Sequence, residues 1–347
     1  MLFIISAVKW ERSKLRTFRA GLIGCGQNGR VHTECVSQLD GMDMVAFCDV
    51  DEDNARKLLN EFGGEYATRD VDRLFGDETI DAIYISTLHN THADYCIRAL
   101  EAGKHVMVEK PLAMSVEDCL RIDDAVRRTG KKVMTAFKMR YYDMLLKAKE
   151  LIPQPLLVSM QMMDNKWPMD IWANDPELGG GNVFSQGCHS ADILRFMVNK
   201  DPIEVFALGG NYYQNNGVAD NLTALFRFDG NVSGNLIQGD CDCPPFTSKF
   251  YMQLFAENKS VTLSDRLTTL TYSEAGKEPV IFRGKETGML EENKAFIESL
   301  RTDSEPPINH MDGLYATLMV LQAVESLKSG KPEPIRSLIR NDQVLTH

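Results

Sequence analysis

From Phe18 to Phe137 short apolar runs alternate with charged stretches whose apolar residues recur at helical spacing. The apolar runs are Phe18 to Gly24, Met42 to Val50, Ile80 to Thr87, His105 to Val108 and Lys132 to Phe137. The helix-periodic segments are Glu52 to Phe62, Thr91 to Ala102 and Val116 to Thr129. Buried strands separated by amphipathic helices predict a parallel sheet covered on both faces, a doubly wound α/β domain.

After about Tyr141 the pattern shortens to a period of two. Leu222, Ala224, Phe226 and Phe228 alternate with Thr223 and Arg227. Asp229-Gly230 then reads as a two-residue hairpin turn, with Asn231 to Gln238 as the returning strand. Further strands are predicted at Phe250 to Ala256, Ser260 to Leu263 and Leu267 to Tyr272. Neighbouring strands with short turns predict a large, mostly antiparallel open sheet in an α+β domain. Helices at Leu290 to Arg301 and Gly313 to Ser329 close the chain, the second stopped by Gly330 and Pro332. The expected organisation is a tail at 1–16, an α/β domain at 17–140, an α+β domain at 141–335 and a tail at 336–347.

Composition narrows the function classes. The chain has 347 residues, 44% of them apolar and 25% charged, which suits about two globular domains. Lys+Arg 38 against Asp+Glu 49 gives a net charge of −11, which repels phosphate backbones and anionic lipid. Basic residues cluster only in pairs such as Arg127-Arg128 and Lys131-Lys132, so neither a nucleic-acid nor a membrane partner is expected. Eight cysteines without a C-x-x-C pair are neither a zinc ribbon nor a redox motif, and point to a reducing, cytoplasmic compartment. The apolar run Leu2 to Val8 is too short to span a bilayer and lacks a secretory cleavage site; it reads as a loosely attached tail.

Gly24-Cys25-Gly26-Gln27-Asn28-Gly29 is G-x-G-x-x-G between a predicted strand and a predicted helix. Such glycines let the backbone approach a pyrophosphate, whose charge sits on the helix N-terminus. Asp49, 20 residues after Gly29, ends the second strand, where a carboxylate bonds ribose hydroxyls and repels a 2′-phosphate. The expected cofactor is therefore NAD. Glu109-Lys110-Pro111 follows the run Val106-Met107-Val108, so Lys110 stands at a strand's carboxyl end, where open parallel sheets bind ligands. The competing reading of Lys110 is a solvated surface residue.

Gly179-Gly180-Gly181 leads into a segment carrying His189 and Asp192 three residues apart on one helical face. His189 suits a proton acceptor for an alcohol under oxidation, or a structural hydrogen-bonder. His89 and His92 have no third ligand nearby and read as a strand-end loop, so no metal is expected. Trp167 and Trp172 flank the glycines and suit stacking on a sugar face or core packing. Lys138 and Arg140 suit contacts to substrate hydroxyls or a carboxylate, or a solvated pair at a domain junction.

These residues carry a resemblance. The glycine fingerprint, Asp49 and the run Ala99 to Leu112 (A-L-E-A-G-K-H-V-M-V-E-K-P-L) resemble the glucose–fructose oxidoreductase/inositol dehydrogenase (Gfo/Idh/MocA) family. So do Asp175 to Gly181 (D-P-E-L-G-G-G), the His189/Asp192 pair, and the ending from Asp312 to Lys331. The resemblance implies a Rossmann domain joined to an α+β domain, assembled as a homodimer or homotetramer. It implies oxidation of a sugar, cyclitol or related polyol, with Lys110 and His189 serving proton transfer. It places the cofactor against Gly24, Gly26, Gln27, Asn28 and Gly29, with Asp49, Thr87, His92, Glu109 and Lys110. It places the substrate against Lys110, Arg140, Trp167, Ser185, His189 and Asp192. Two positions depart from the family pattern. Ser185 stands where many members carry an aspartate that orients the histidine, and Leu88 replaces a proline. The altered position leaves two further readings open: an NAD-retaining glycoside hydrolase or lyase that uses transient oxidation, and a dinucleotide-binding sensor without turnover.

Overall fold

The structure is a computed structural model describing residues 16–241, 248–286 and 288–339. Cys243, and the expected tails except residues 16 and 336–339, lie outside the described residues. The first sheet is built from β1 (Phe18–Ile23), β2 (Met42–Cys48), β3 (Tyr66–Thr68), β4 (Ala82–Ile85), β5 (His105–Glu109) and β6 (Val133–Ala136). All five pairings are parallel, in the order β3-β2-β1-β4-β5-β6, the doubly wound Rossmann arrangement. Its helices are α1 (Gln27–Ser37), α2 (Glu52–Phe62), α3 (Val71–Gly76), α4 (His92–Glu101) and α5 (Val116–Thr129). Both α2 and α5 begin at side-chain caps, where Asp51 accepts from Asp53 N–H and Ser115 from Asp118 N–H. β3 and α3 were not expected; three and six residues are too few to display a period.

The second half contains α6 (Asp143–Leu151), β7 (Leu157–Met163), α7 (Gly181–Ser185), α8 (Gly187–Val198), β8 (Pro202–Gly210), β9 (Asn221–Phe228) and β10 (Val232–Gly239). β11 (Phe250–Ala256), β12 (Lys259–Ser264), β13 (Thr269–Glu274), β14 (Val280–Arg283), α9 (Met289–Arg301), α10 (His310–Ser329) and β15 (Glu333–Pro334) follow. Nine strands form one sheet, β14-β13-β12-β11-β7-β10-β9-β8-β15, antiparallel except where β10 runs parallel to β7. The hairpin between β9 and β10 differs from the expected turn. Phe228 pairs with Val232, so three residues connect them, and both Gly230 and Asn231 take positive φ.

The covered face of this sheet carries α8 and α10. The other face is open, and places Leu208, Leu225 and Ile237 on neighbouring strands, 66%, 56% and 36% exposed. α10 starts three residues before the expected Gly313, because Asn309 caps it by accepting from Met311 N–H while Asp312 accepts from Asn309 N–H. Gly313 is a packing site: a Cβ there would come within 2.7 Å of Leu112 Cβ and closer to Thr135 Oγ1. From His310 to Val320 the helix is buried all round, because it lies between the two sheets. Phe296, Ile297 and Leu300 of α9 complete the packing against the first sheet with Phe47, Tyr84 and Met107.

Candidate active site

The turn from β1 into α1 is shaped by close approaches. Gly24 has φ +92°, and a Cβ there would lie 2.2 Å from Ser86 O; one on Gly29 would lie 2.0 Å from Gly24 O. Gly26 differs: an added Cβ meets no protein atom within 4 Å and would fill a cleft instead. Asp49 braces the turn, its Oδ2 accepting from Cys25 N–H at 2.7 Å and its Oδ1 from Asp51 N–H at 2.9 Å. Gly24, Gly26, Gln27, Asn28, Asp49, Thr87, Glu109 and Lys110 all line a cavity of about 650 Å³. A glycine-walled cradle at a helix N-terminus, with a carboxylate at the neighbouring strand end, fits a dinucleotide.

Two cofactor expectations change. Gly29 is packed beneath the cradle and does not line it. His92 is buried behind it, Nδ1 at 2.7 Å from Pro111 O and Nε2 at 3.2 Å from Thr87 O, and clasps two strand-end loops together. Its neighbour His89 does line the cleft, with Nδ1 2.9 Å from Gly179 O and its ring edge-on to Trp172 at 4.8 Å. Among the described residues no group of His, Cys, Asp or Glu is arranged to hold a metal ion.

A second cavity, about 250 Å³, adjoins the first and shares Asn28, Glu109, Lys110 and Gln186 with it. His189 of α8 lines this second cavity together with Lys138, Lys249, Arg266 and Glu286. Lys110 Nζ donates to Ser185 O at 3.1 Å, which ties the end of β5 to the end of α7. His189 is buried edge-on to Phe137, and its Nδ1 has no hydrogen-bond partner, so the Ser185 hydroxyl does not orient it there. Burial, then the charges of Lys110, Lys138 and Lys249, push this imidazole well below its usual range and keep it neutral. Glu109 accepts from Lys110 N–H and faces His32 Nε2 at 3.2 Å; despite burial, His32 and the charges of Lys110 and Lys138 hold its carboxyl low and charged.

Arg140 and Asp192, expected at the substrate, are instead consumed in a buried ion network. Arg140 Nε lies 3.0 and 2.9 Å from the two Asp192 oxygens, and Nη2 lies 2.9 Å from Asp312. Arg195 bridges Asp312 at 2.8 Å to Asp201 at 2.9 Å. Neither Arg140 nor Asp192 lines either cavity. Trp167 lines the larger cavity with Trp172, and its indole N–H donates to Asp164 at 3.2 Å. Ser185 lines that cavity too.

Sequence reasoning missed Gln186, Arg69, Lys249, Arg266 and Glu286. Gln186 lies between two residues already singled out, so proximity in sequence could have found it. Arg69 follows the unseen β3, and the other three arrive from a distant hairpin and from the stretch before α9, with no local pattern.

Comparison with known proteins agrees with this geometry. The family described as "Oxidoreductase family, NAD-binding Rossmann fold" matches residues 18–137, and the GFO/IDH/MocA C-terminal domain matches residues 147–245. Myo-inositol 2-dehydrogenase of Thermotoga maritima is 26% identical over 345 residues, covering 92% of this chain and 99% of that protein. 1,5-Anhydro-D-fructose reductase of Ensifer adhaerens is 25% identical, covering 92% and 99%. The WlbA dehydrogenase of Bordetella pertussis, solved with NADH and UDP-GlcNAcA, has the same fold at a TM-score of 0.83, with 21% identity over 92% of this chain and 98% of that one. With fold, glycine cradle and both domain matches in agreement, the chain belongs to the Gfo/Idh/MocA family of NAD-binding oxidoreductases.

Proposed function

We propose that this protein is an NAD-dependent dehydrogenase of a sugar, cyclitol or related polyol. The observation that carries the reading is the placement of Lys110 and His189 on one small cavity that opens onto the dinucleotide cleft. Bound NAD supplies the acceptor for the hydride that the carbinol carbon gives up. His189, neutral and buried, takes the hydroxyl proton as the C–O bond becomes C=O. Lys110, held by Ser185 O, donates to the same oxygen and stabilises its developing negative charge. Relatives named for myo-inositol and 1,5-anhydrofructose support a polyhydroxylated ring as substrate.

NAD is favoured over NADP because Asp49 lines the cleft with a carboxylate that repels a 2′-phosphate. Six buried, unpaired thiols (Cys25, Cys35, Cys48, Cys96, Cys119 and Cys188) support a reducing cytoplasmic setting. The exposed apolar row on the open sheet supports a homodimer or homotetramer. Incubating purified protein and NAD with a panel of sugars, cyclitols and glycosides tests the reaction. NADH formed in proportion to substrate consumed supports it; NAD-dependent glycoside cleavage without NADH rejects it in favour of a net non-redox lyase or hydrolase.

A further inference from the structure

We infer that the substrate carries a carboxylate and that Lys138 binds it. The inference rests on the dehydrogenase reading of the same cavity, and it adds the substrate's charge to that reading.

The chain carries a net charge of −11, yet the 250 Å³ cavity beside His189 is walled by Lys110, Lys138, Lys249 and Arg266 against Glu109 and Glu286. Most of these cations are answered. Lys249 Nζ lies 2.6 Å from Asp164, and Arg266 is paired with Glu286. Glu109 accepts from the Lys110 backbone N–H and is held charged, despite burial, by His32 and by the charges of Lys110 and Lys138, while the Lys110 ammonium rests on Ser185 O. Lys138 is different: among the described residues no hydrogen bond or ion pair engages its ammonium.

The remaining acidic neighbour does not answer it. Glu292 of α9 is wholly buried, and neither of its carboxyl oxygens has a hydrogen-bond partner. Burial and the charge of Glu109 push its carboxyl well above the usual range, which favours the neutral form, and Glu292 does not line the cavity. Three carboxylates therefore answer four cations, and one positive charge is left facing the reaction cavity. A single carboxylate restores balance. A phosphate monoester, with a charge near −2 at neutral pH, would leave the cavity negative.

The same charge reaches the chemistry. Lys138 and Lys249 are among the groups that depress the basicity of His189. A substrate carboxylate beside Lys138 screens that field and makes the imidazole a better proton acceptor once substrate is bound. An acid sugar thus gains in kcat as well as in binding.

Calorimetric titration of NADH-loaded protein with matched pairs tests this: D-glucuronate and D-glucose, D-galacturonate and D-galactose, D-gluconate and D-glucitol, D-glycerate and glycerol. At least one acid should bind about tenfold more tightly than its neutral partner. Lys138→Met should abolish that preference, Lys138→Arg should keep most of it, and the NADH titration reports that each variant is folded. Acids no better than their neutral partners, or a preference that survives Lys138→Met, overturn the inference. So does glucose 6-phosphate binding more tightly than every acid. NADH formation from NAD is read separately. Lys138-dependent acid binding with no turnover of any compound defeats the dehydrogenase reading and keeps the carboxylate site. Turnover of neutral compounds alone does the reverse.

Discussion

The Lys110 ammonium donates to the backbone carbonyl of Ser185 at 3.1 Å, so the strand-end lysine and the segment carrying the histidine are fastened to each other across the domain junction. Ser185 is thus used here through its backbone, while His189 Nδ1 is left without a partner. This arrangement makes the proton relay testable. Lys110→Ala and His189→Ala should each lower kcat by roughly 100- to 10,000-fold. Ser185→Asp should raise the imidazole pKa and move the acid limb of the kcat/KM profile to higher pH, because the base must be unprotonated to act. An unmoved limb together with an active His189→Ala would remove His189 from the mechanism.

Asp49 has two roles that one variant can separate. It faces the cleft, and it accepts from Cys25 N–H within the glycine turn. NAD should bind more tightly than NADP to the native protein. Asp49→Ser should narrow that gap by strengthening NADP, since Arg69 lines the same cleft and then offers a 2′-phosphate a positive charge without a competing carboxylate at position 49. Fluorescence titration with NADH and NADPH measures both arms. Native protein that prefers NADPH would refute the assignment.

The Arg140 network predicts a stability defect with little change in recognition. Removing one partner of a buried ion pair strands the others, at about 3–5 kcal/mol. Arg140→Leu leaves Asp192 buried without its guanidinium, so the thermal midpoint should fall steeply. Any folded fraction should keep its KM. A large rise in KM without a fall in Tm would put Arg140 back at the substrate.

His89 predicts a pH dependence of folding. Burial, then Lys110, lowers its pKa to about 2, while the unfolded chain titrates near 6.5. Below pH 6.5 the unfolded state binds a proton that the folded state does not, so stability is lost as the solution is acidified. His89→Asn keeps a donor for Gly179 O and removes that proton. The slope of unfolding free energy against pH between 6 and 4 should therefore drop by about 1.4 kcal/mol per pH unit. Urea titrations across that range measure it, and an unchanged slope would show that His89 is solvated.

Much of this protein is written locally. The alternation of apolar strands and amphipathic helices from Phe18 to Phe137 needs only near neighbours, and the structure agrees with it except at β3 and α3, too short to show a period. The glycine cradle and Asp49 are legible for the same reason, since a tight turn and a strand end are properties of a few consecutive residues. Lys138 and Arg140 mark the limit. They are two residues apart, both cationic, on one turn of 3₁₀ helix. Lys138 faces the reaction cavity, whereas Arg140 is locked to Asp192 and to Asp312, which lies 172 positions further along. Sequence determined that two cations stand at the junction of the domains. Only the tertiary structure decided which meets a ligand, because that depends on where distant carboxylates arrive, and folding alone brings them there.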